Sequence, residues 1–547
     1  MKHSKIALII SAALLASASV SAVERNKAEV KQKGGLNTAT IKQNISSNKN
    51  TSEVIQFSSS ANADMNTAST TQENTSFSTS LVNQNGAGNI ATLMQTGSNS
   101  VTSEVFQRGV SNTTSVNQSD GSSLASSIVT TTGDGNSATV TQSAVTGDAQ
   151  RKATATISQG DSLVPSDRNL ATISQTNSAF VKSTINQNSS DDTASITAAN
   201  SNNAEATITQ NGTVTAGFNQ AFIVQTNADS AKATLTQTGN SNFADAKQDN
   251  TGTQGDLILG SQNGDNNQAR ASQNQQGNYS NNIDFTQAGN LNDINIDQTG
   301  SSNTVESLQL GNENTLLTSQ VGQEGNGTLI VSNQIGNGNK AETQQSEYGS
   351  THGNDAIITQ LGDENSITVT QSLNANRATI SQLNSDNSTA TVKQTGGHLT
   401  TITQTGHSQF AKAELAGNSG MANNITISQS DGTGVTGGNS AIAMTFSSNS
   451  STTIDQHGST NRANAQSHGD MISSSITQIG NNHAANIYAG NGTEGSHVDI
   501  SQHSELNYAS VTMNYGENHN IDIVQLGARE VAVVLSDGSN NTVNIQQ

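Results

Sequence analysis

The side chains of widest chemical range in this 547-residue sequence are ten histidines and 42 acidic residues, and their spacing gives them little to do together. There is no H-E-x-x-H pattern and no close histidine pair, so no metal site is expected. His398, His407, His457, His468, His483, His497, His503 and His519 fall in the last third, where polar surroundings read as solvated turns. Asp191 and Asp192 adjoin in a polar stretch without a partner that would set one as acid and the other as base. Gly133 to Asn136 reads G-D-G-N, but the repeated glycine-aspartate array of a calcium turn is missing, and the glycine-rich segments lack the lysine of a phosphate loop. Cysteine is absent, which removes thiol chemistry and disulfides. These residues compose no active site, and no enzyme, metal or cofactor is expected.

What the sequence offers in quantity is carboxamide, at fixed intervals. Gln287, Gln298, Gln309 and Gln320 are 11 residues apart, with Asn292, Asn303 and Asn314 each five residues after a glutamine. The unit returns as Gln360, Asn365, Gln371, Asn376, Gln382 and Asn387. A glycine often follows the glutamine by two, as at Gly289, Gly300, Gly311 and Gly362. A primary amide both donates and accepts, so identical amides stacked along an axis satisfy one another. A single buried glutamine costs free energy, whereas a column of them is paired.

That chemistry requires an element able to hold amides in a column. In Asn292 to Gln298 the residues Asn292, Ile294, Ile296 and Gln298 alternate with Asp293, Asn295 and Asp297. Period two is a strand with one buried face. Ala378, Ile380, Gln382 and Ala206, Ile208, Gln210 repeat the pattern, and stretches such as T-G-S-S-N supply the turns. The expected fold is therefore all-β: a β-solenoid of two 11-residue strand arms per rung, rungs about 4.8 Å apart, with inward Gln/Asn ladders. Aromatics are only 3% and hydrophobic residues 31%, which alone would permit disorder. The single proline, Pro165, argues the other way, because proline cannot donate to a sheet ladder.

The spacing Q-x4-N-x5-Q, with glycine two after the glutamine and small or aliphatic residues leading into the next, resembles the curlin repeat. The resemblance runs in patches from about Ile41 to Gln547 and is densest at 283–404. It implies a subunit of a curli-like extracellular amyloid fibre (a fimbrium) serving cell adhesion and biofilm matrix. As partners it implies further copies, related curlin subunits, and outer-membrane secretion and nucleation factors. This chain holds several times the repeats of a typical member.

Lys2 and Lys5, an apolar run from Ile6 to Ala18 and the small residues Ser19 to Ala22 read as a signal peptide over 1–22, so secretion is expected. Residues 23–50 read as a leader or cap and 51–547 as solenoid repeats, with register breaks near 119–136, 160–169, 249–265 and 431–450. A formal charge of -20 argues against nucleic acid as a partner, and no apolar run is long enough to insert in a membrane. Two alternatives share the fold: a non-fibrillar secreted adhesin, and an ice-binding solenoid. Thr-x-Thr pairs at Thr207/Thr209 and Thr401/Thr403 suggest the second. Asn295/Asp297 and Asp522/Val524 at equivalent positions interrupt that array.

Overall fold

The computed structural model describes residues 26–34, 37–43, 49–58, 65–148, 150–160, 166–212, 217–249, 255–274, 280–322, 327–347, 353–373, 375–416, 422–431, 437–446 and 448–547. Residues 1–22, expected to be a signal, and Pro165 lie outside them. Among the described residues every regular element is a β-strand. The chain forms two compact units, Met1–Asn274 and Gln275–Gln547. Within each, the long strands alternate between two parallel sheets, each pairing with the next strand of its own sheet, and in the second unit Thr493–Glu494 and Gly516–Glu517 form a separate two-stranded parallel sheet. We call front the sheet holding Thr102–Val110 in the first unit and Thr304–Leu310 in the second. The back sheets hold Thr113–Ser119 and Thr315–Val321.

Each unit is a β-solenoid, and its register is set by side-chain alternation. Strand Asp293–Thr299 buries Ile294, Ile296 and Gln298 and turns Asp293, Asn295 and Asp297 outward. Thr304–Leu310 pairs residue for residue with Leu329–Ile335, so Gln309 lies on Gln334. A one-residue slip would turn every buried side chain outward, which is why the register is strongly specified. The core is one side chain deep on each sheet. In the first unit Ile157, Ile185, Ile208 and Leu235 form one front column, each at most 1% exposed. Each such side chain contributes roughly 1.5–3 kcal/mol, so the polar composition still leaves a continuous apolar strip.

The turns need two backbone reversals. Gly311 has φ of +119°, and a Cβ there would lie 2.0 Å from the carbonyl oxygen of Gly336 on the next rung. Only glycine lets the turns stack this closely. Two residues further on, immediately before the asparagine, a non-glycine residue is left-handed: Leu291 at 59°, Ser302 at 63°, Glu313 at 59°, Glu364 at 55°. Such residues are held by their context, because the conformation itself is unfavourable.

Rung size varies mainly in the turns. Gln287 and Gln309 are 22 residues apart while Gln142 and Gln175 are 33 apart, yet both pairs are stacked. Ala125–Thr132, Leu257–Asn263 and Ser440–Thr445 fall in three of the stretches expected to break register. All three are strands paired in register with neighbours. Lys27–Lys33 and Thr38–Gln43, within the expected leader, likewise pair with Thr51–Phe57 and with Thr67–Glu73.

Candidate functional site: the stacked amide columns

In the second unit the front column runs from Gln287 through Gln309, Gln334, Gln360, Gln382, Gln404, Gln429, Gln456, Gln478, Gln502 and Gln525 to Gln547. Each Nε2 donates to the next Oε1 at 2.7–3.0 Å. The back column runs Gln298, Gln320, Gln345, Gln371, Gln394 at 2.6–3.0 Å. It then gives way to Leu415, Thr445, Ser467, Ala489, Met513 and Ser536.

The second hydrogen of each amide has a use that repeat spacing does not show. Gln309 Nε2 donates to the Asp293 carbonyl at 3.2 Å, Gln320 to Thr304 at 3.2 Å and Gln360 to Lys340 at 3.1 Å. Those acceptors begin strands of the opposite sheet. Each glutamine therefore links rung to rung and front to back, using both its donors.

Breaks in the columns show what the ladder supplies. In the first unit Thr131 separates Gln107 from Gln159, and Ala198 separates Gln175 from Gln225. The amide before a break is rescued: Gln107 donates to Thr114 Oγ1 at 3.1 Å, and Gln394, at the end of the second unit's back column, to Thr400 Oγ1 at 3.1 Å. The carbonyl after a break is not: Gln159 Oε1 and Gln225 Oε1 are buried without a partner among the described residues. Donors are redirected while acceptors are left over, as expected when unpaired N–H groups are the costlier kind.

The asparagine columns run in the opposite sense. Asn314 donates through its backbone N–H and its Nδ2 to Asn292 Oδ1, both at 3.1 Å. Asn339 does the same to Asn314, and Asn365 to Asn339. Nδ2 of Asn314 also reaches the turn carbonyl of Gly336 at 2.8 Å. At the other turn Asn303 and Asn376 donate through their N–H groups to Asn281 Oδ1 at 3.0 Å and Asn354 Oδ1 at 3.1 Å. Each also closes its own turn through Nδ2, onto Thr299 and Ser372.

Asn387 is a correction. A bulge between Leu383 and Ser385 lengthens its arm by one residue, so Asn387 is exposed with φ of 54°. Ser388 takes the column place and donates its N–H to Asn365 Oδ1 at 3.2 Å.

Three histidines expected in solvated turns are instead buried in the asparagine columns: His398, His483 and His519, at most 2% exposed. His483 Nδ1 accepts the Asn507 N–H at 3.3 Å and its Nε2 donates to the Ile479 carbonyl at 3.2 Å. An imidazole with Nε2 protonated thus reproduces both functions of an asparagine. His398 Nδ1 accepts from Asn423 N–H at 3.3 Å. Burial holds His398 and His483 below the ordinary histidine range. A sequence signal exists, since His483 stands five residues after Gln478.

The acid pair divides. Asp191 is bound by the Arg168 guanidinium through two 2.6 Å contacts, which lower its carboxyl. Asp192 is buried in the column between Asn169 and Asn219, and burial raises it. Glu347 is buried, neither of its carboxylate oxygens has a partner among the described residues, and burial pushes it up to about 7.

Among the described residues no three His, Cys, Asp or Glu side chains gather where a metal could be held. The arrangement is structural, a β-solenoid whose interior is wired by amide columns. Residues 362–396 match the family model of the curlin associated repeat. No curated protein shows significant similarity to it.

Proposed function

We propose that this protein is a structural subunit of an extracellular, curli-like amyloid fibre, exported by its 1–22 signal and serving cell adhesion and biofilm matrix. The observation that carries the reading is the parallel, in-register stacking of rungs through self-satisfying glutamine columns. A column of this kind accepts a further identical rung without leaving its amides unpaired. Further copies or related curlin subunits are then the natural partners, with secretion and nucleation factors at the outer membrane. Fibre diffraction of the purified, exported protein tests the reading. It expects a reflection near 4.8 Å along the fibre axis and a thioflavin response. Soluble monomers giving neither would overturn it and leave the non-fibrillar adhesin. The ice-binding alternative has less support. Thr401 and Thr403 share their outward columns with Ile357, Asp455 and Asp499, so the hydroxyl array is interrupted. Thermal hysteresis measures it directly.

A further inference from the structure

The outward faces of the same rungs differ. On the front of the second unit Leu310, Ile335, Leu361 and Leu383 stack in register on four successive rungs, and Ile335, Leu361 and Leu383 are 36%, 37% and 36% exposed. Val331 and Ile357 lie beside them, one on the other, two columns over. On the back strands of those rungs the outward residues include Lys340, Glu342 and Lys393, and large aliphatics are confined to Leu317 and Val321 on one rung. An aliphatic strip of this extent in so polar a chain marks an interaction surface.

We propose that the front face of strands Thr304–Leu310, Leu329–Ile335, Asp355–Leu361 and Arg377–Asp386 pairs laterally with the same face of a second copy. Two properties select that occupant. The strip has one ridge per rung, about 4.8 Å apart, and a surface corrugated at that pitch fits throughout only against another with the same pitch, which a second copy has by construction. Of the charges on this face, Arg377 and Glu306 complement under a twofold axis parallel to the strands, while Asp355, beside Arg377 on its own copy, comes opposite Leu329. Rung order is then reversed, so Leu310 meets Leu383, Ile335 meets Leu361, and Arg377 of one copy comes beside Glu306 of the other. Such an interface is isologous and closes on itself. An anionic lipid surface is a poorer match for a chain of net charge -20. The pairing is lateral, so it extends the fibre reading and is separable from it.

The test uses the full exported chain and reads lateral and axial association independently. Mass per length by dark-field electron microscopy reports how many solenoids lie side by side, and the axial reflection reports stacking. Wild-type fibres should have the mass per length of two solenoids. The outward double substitution I335E/L361E should halve it with the axial reflection retained, and T368E on the back should leave it unchanged. R377E alone should weaken pairing, and R377E/E306R should restore it. If no fibres form, the fibre reading fails, and lateral pairing is read instead as a dimer by sedimentation that I335E/L361E reduces to monomer. Wild-type single solenoids, or a mass per length that I335E/L361E does not change, overturns the proposal. So does binding to neutral phosphatidylcholine vesicles that depends on Ile335 and Leu361 while the protein stays unpaired.

Discussion

Past Gln394 the two sheets of the second unit part company. The front column continues as glutamine to Gln547, whereas the back column becomes Leu415, Thr445, Ser467, Ala489, Met513 and Ser536. Strand pairing does not change: Arg462–Ser467 pairs with Ala484–Ala489 as regularly as Ser451–His457 pairs with Ser473–Asn481. Backbone ladders and inward aliphatics therefore suffice for stacking, and the amides add satisfaction and specificity to it. Where the internal amides stop, rings take up cross-rung contact outside. Phe446 stacks on His468 with centroids 5.0 Å apart, and His468 lies 5.7 Å from Tyr488. One column tolerates no gap without an orphaned amide, while the other has been rebuilt to need none.

The largest expected effect comes from forcing charge into both intact columns. Replacing Gln287, Gln298, Gln309 and Gln320 together by lysine buries unpaired ammonium groups and should prevent that segment from folding. Hydrogen exchange over 280–322 reads this, and native-like protection there would sink the inward-ladder account. A single gap is milder. Gln456→Leu would leave Gln429 without its acceptor and Gln478 Oε1 without its donor, at about 1–3 kcal/mol for each stranded group. Equilibrium denaturation should show that loss. Thr445, in the rebuilt column, should tolerate leucine far better.

Acid should act on the histidine rungs. The folded state holds His398 and His483 below the unfolded value of 6.5, so it binds fewer protons than the unfolded chain. Their contribution is complete above about pH 6.5 and is lost as pH falls beneath it. His483→Asn should remove part of that acid-side loss, and a pH series of unfolding free energies with an unchanged slope would contradict the assignment. Glu347 acts in the opposite direction, because its folded value is raised from 4.5 to about 7. It favours folding below about pH 4.5, and stability is lost as pH rises from there to 7. Glu347→Gln should flatten that part of the profile. The smallest effect is expected at Thr445, whose buried Oγ1 has no partner among the described residues. Thr445→Val should gain up to about 1 kcal/mol, read by the same denaturation assay.

Much of this was legible because it is periodic. The alternation Ile294, Ile296, Gln298 shows which face is buried, and the 11-residue interval gives the arm. Amide columns follow from the two together. Three things were not legible. Asn387 and Ser388 compete for one place, and a backbone bulge decides between them. Ser302 and Glu313 adopt positive φ although neither residue type announces it, since the stack holds them there. His483 occupies the right interval, but residue type pointed to solvent, and only the neighbouring rungs show that an imidazole can do an asparagine's work. The division into an intact front column and a rebuilt back column depends on which arm falls on which sheet, and turns of variable length blur that assignment.

The opposed senses of the glutamine and asparagine columns have an electrostatic consequence. Glutamine carbonyls point toward earlier rungs and asparagine carbonyls toward later ones. Each aligned column is a row of amide dipoles that would build up a field with length, as a helix does. Side by side and antiparallel, the two rows largely offset. Adding rungs then accumulates little axial field from the amides, so the column dipoles do not limit the length of such a stack.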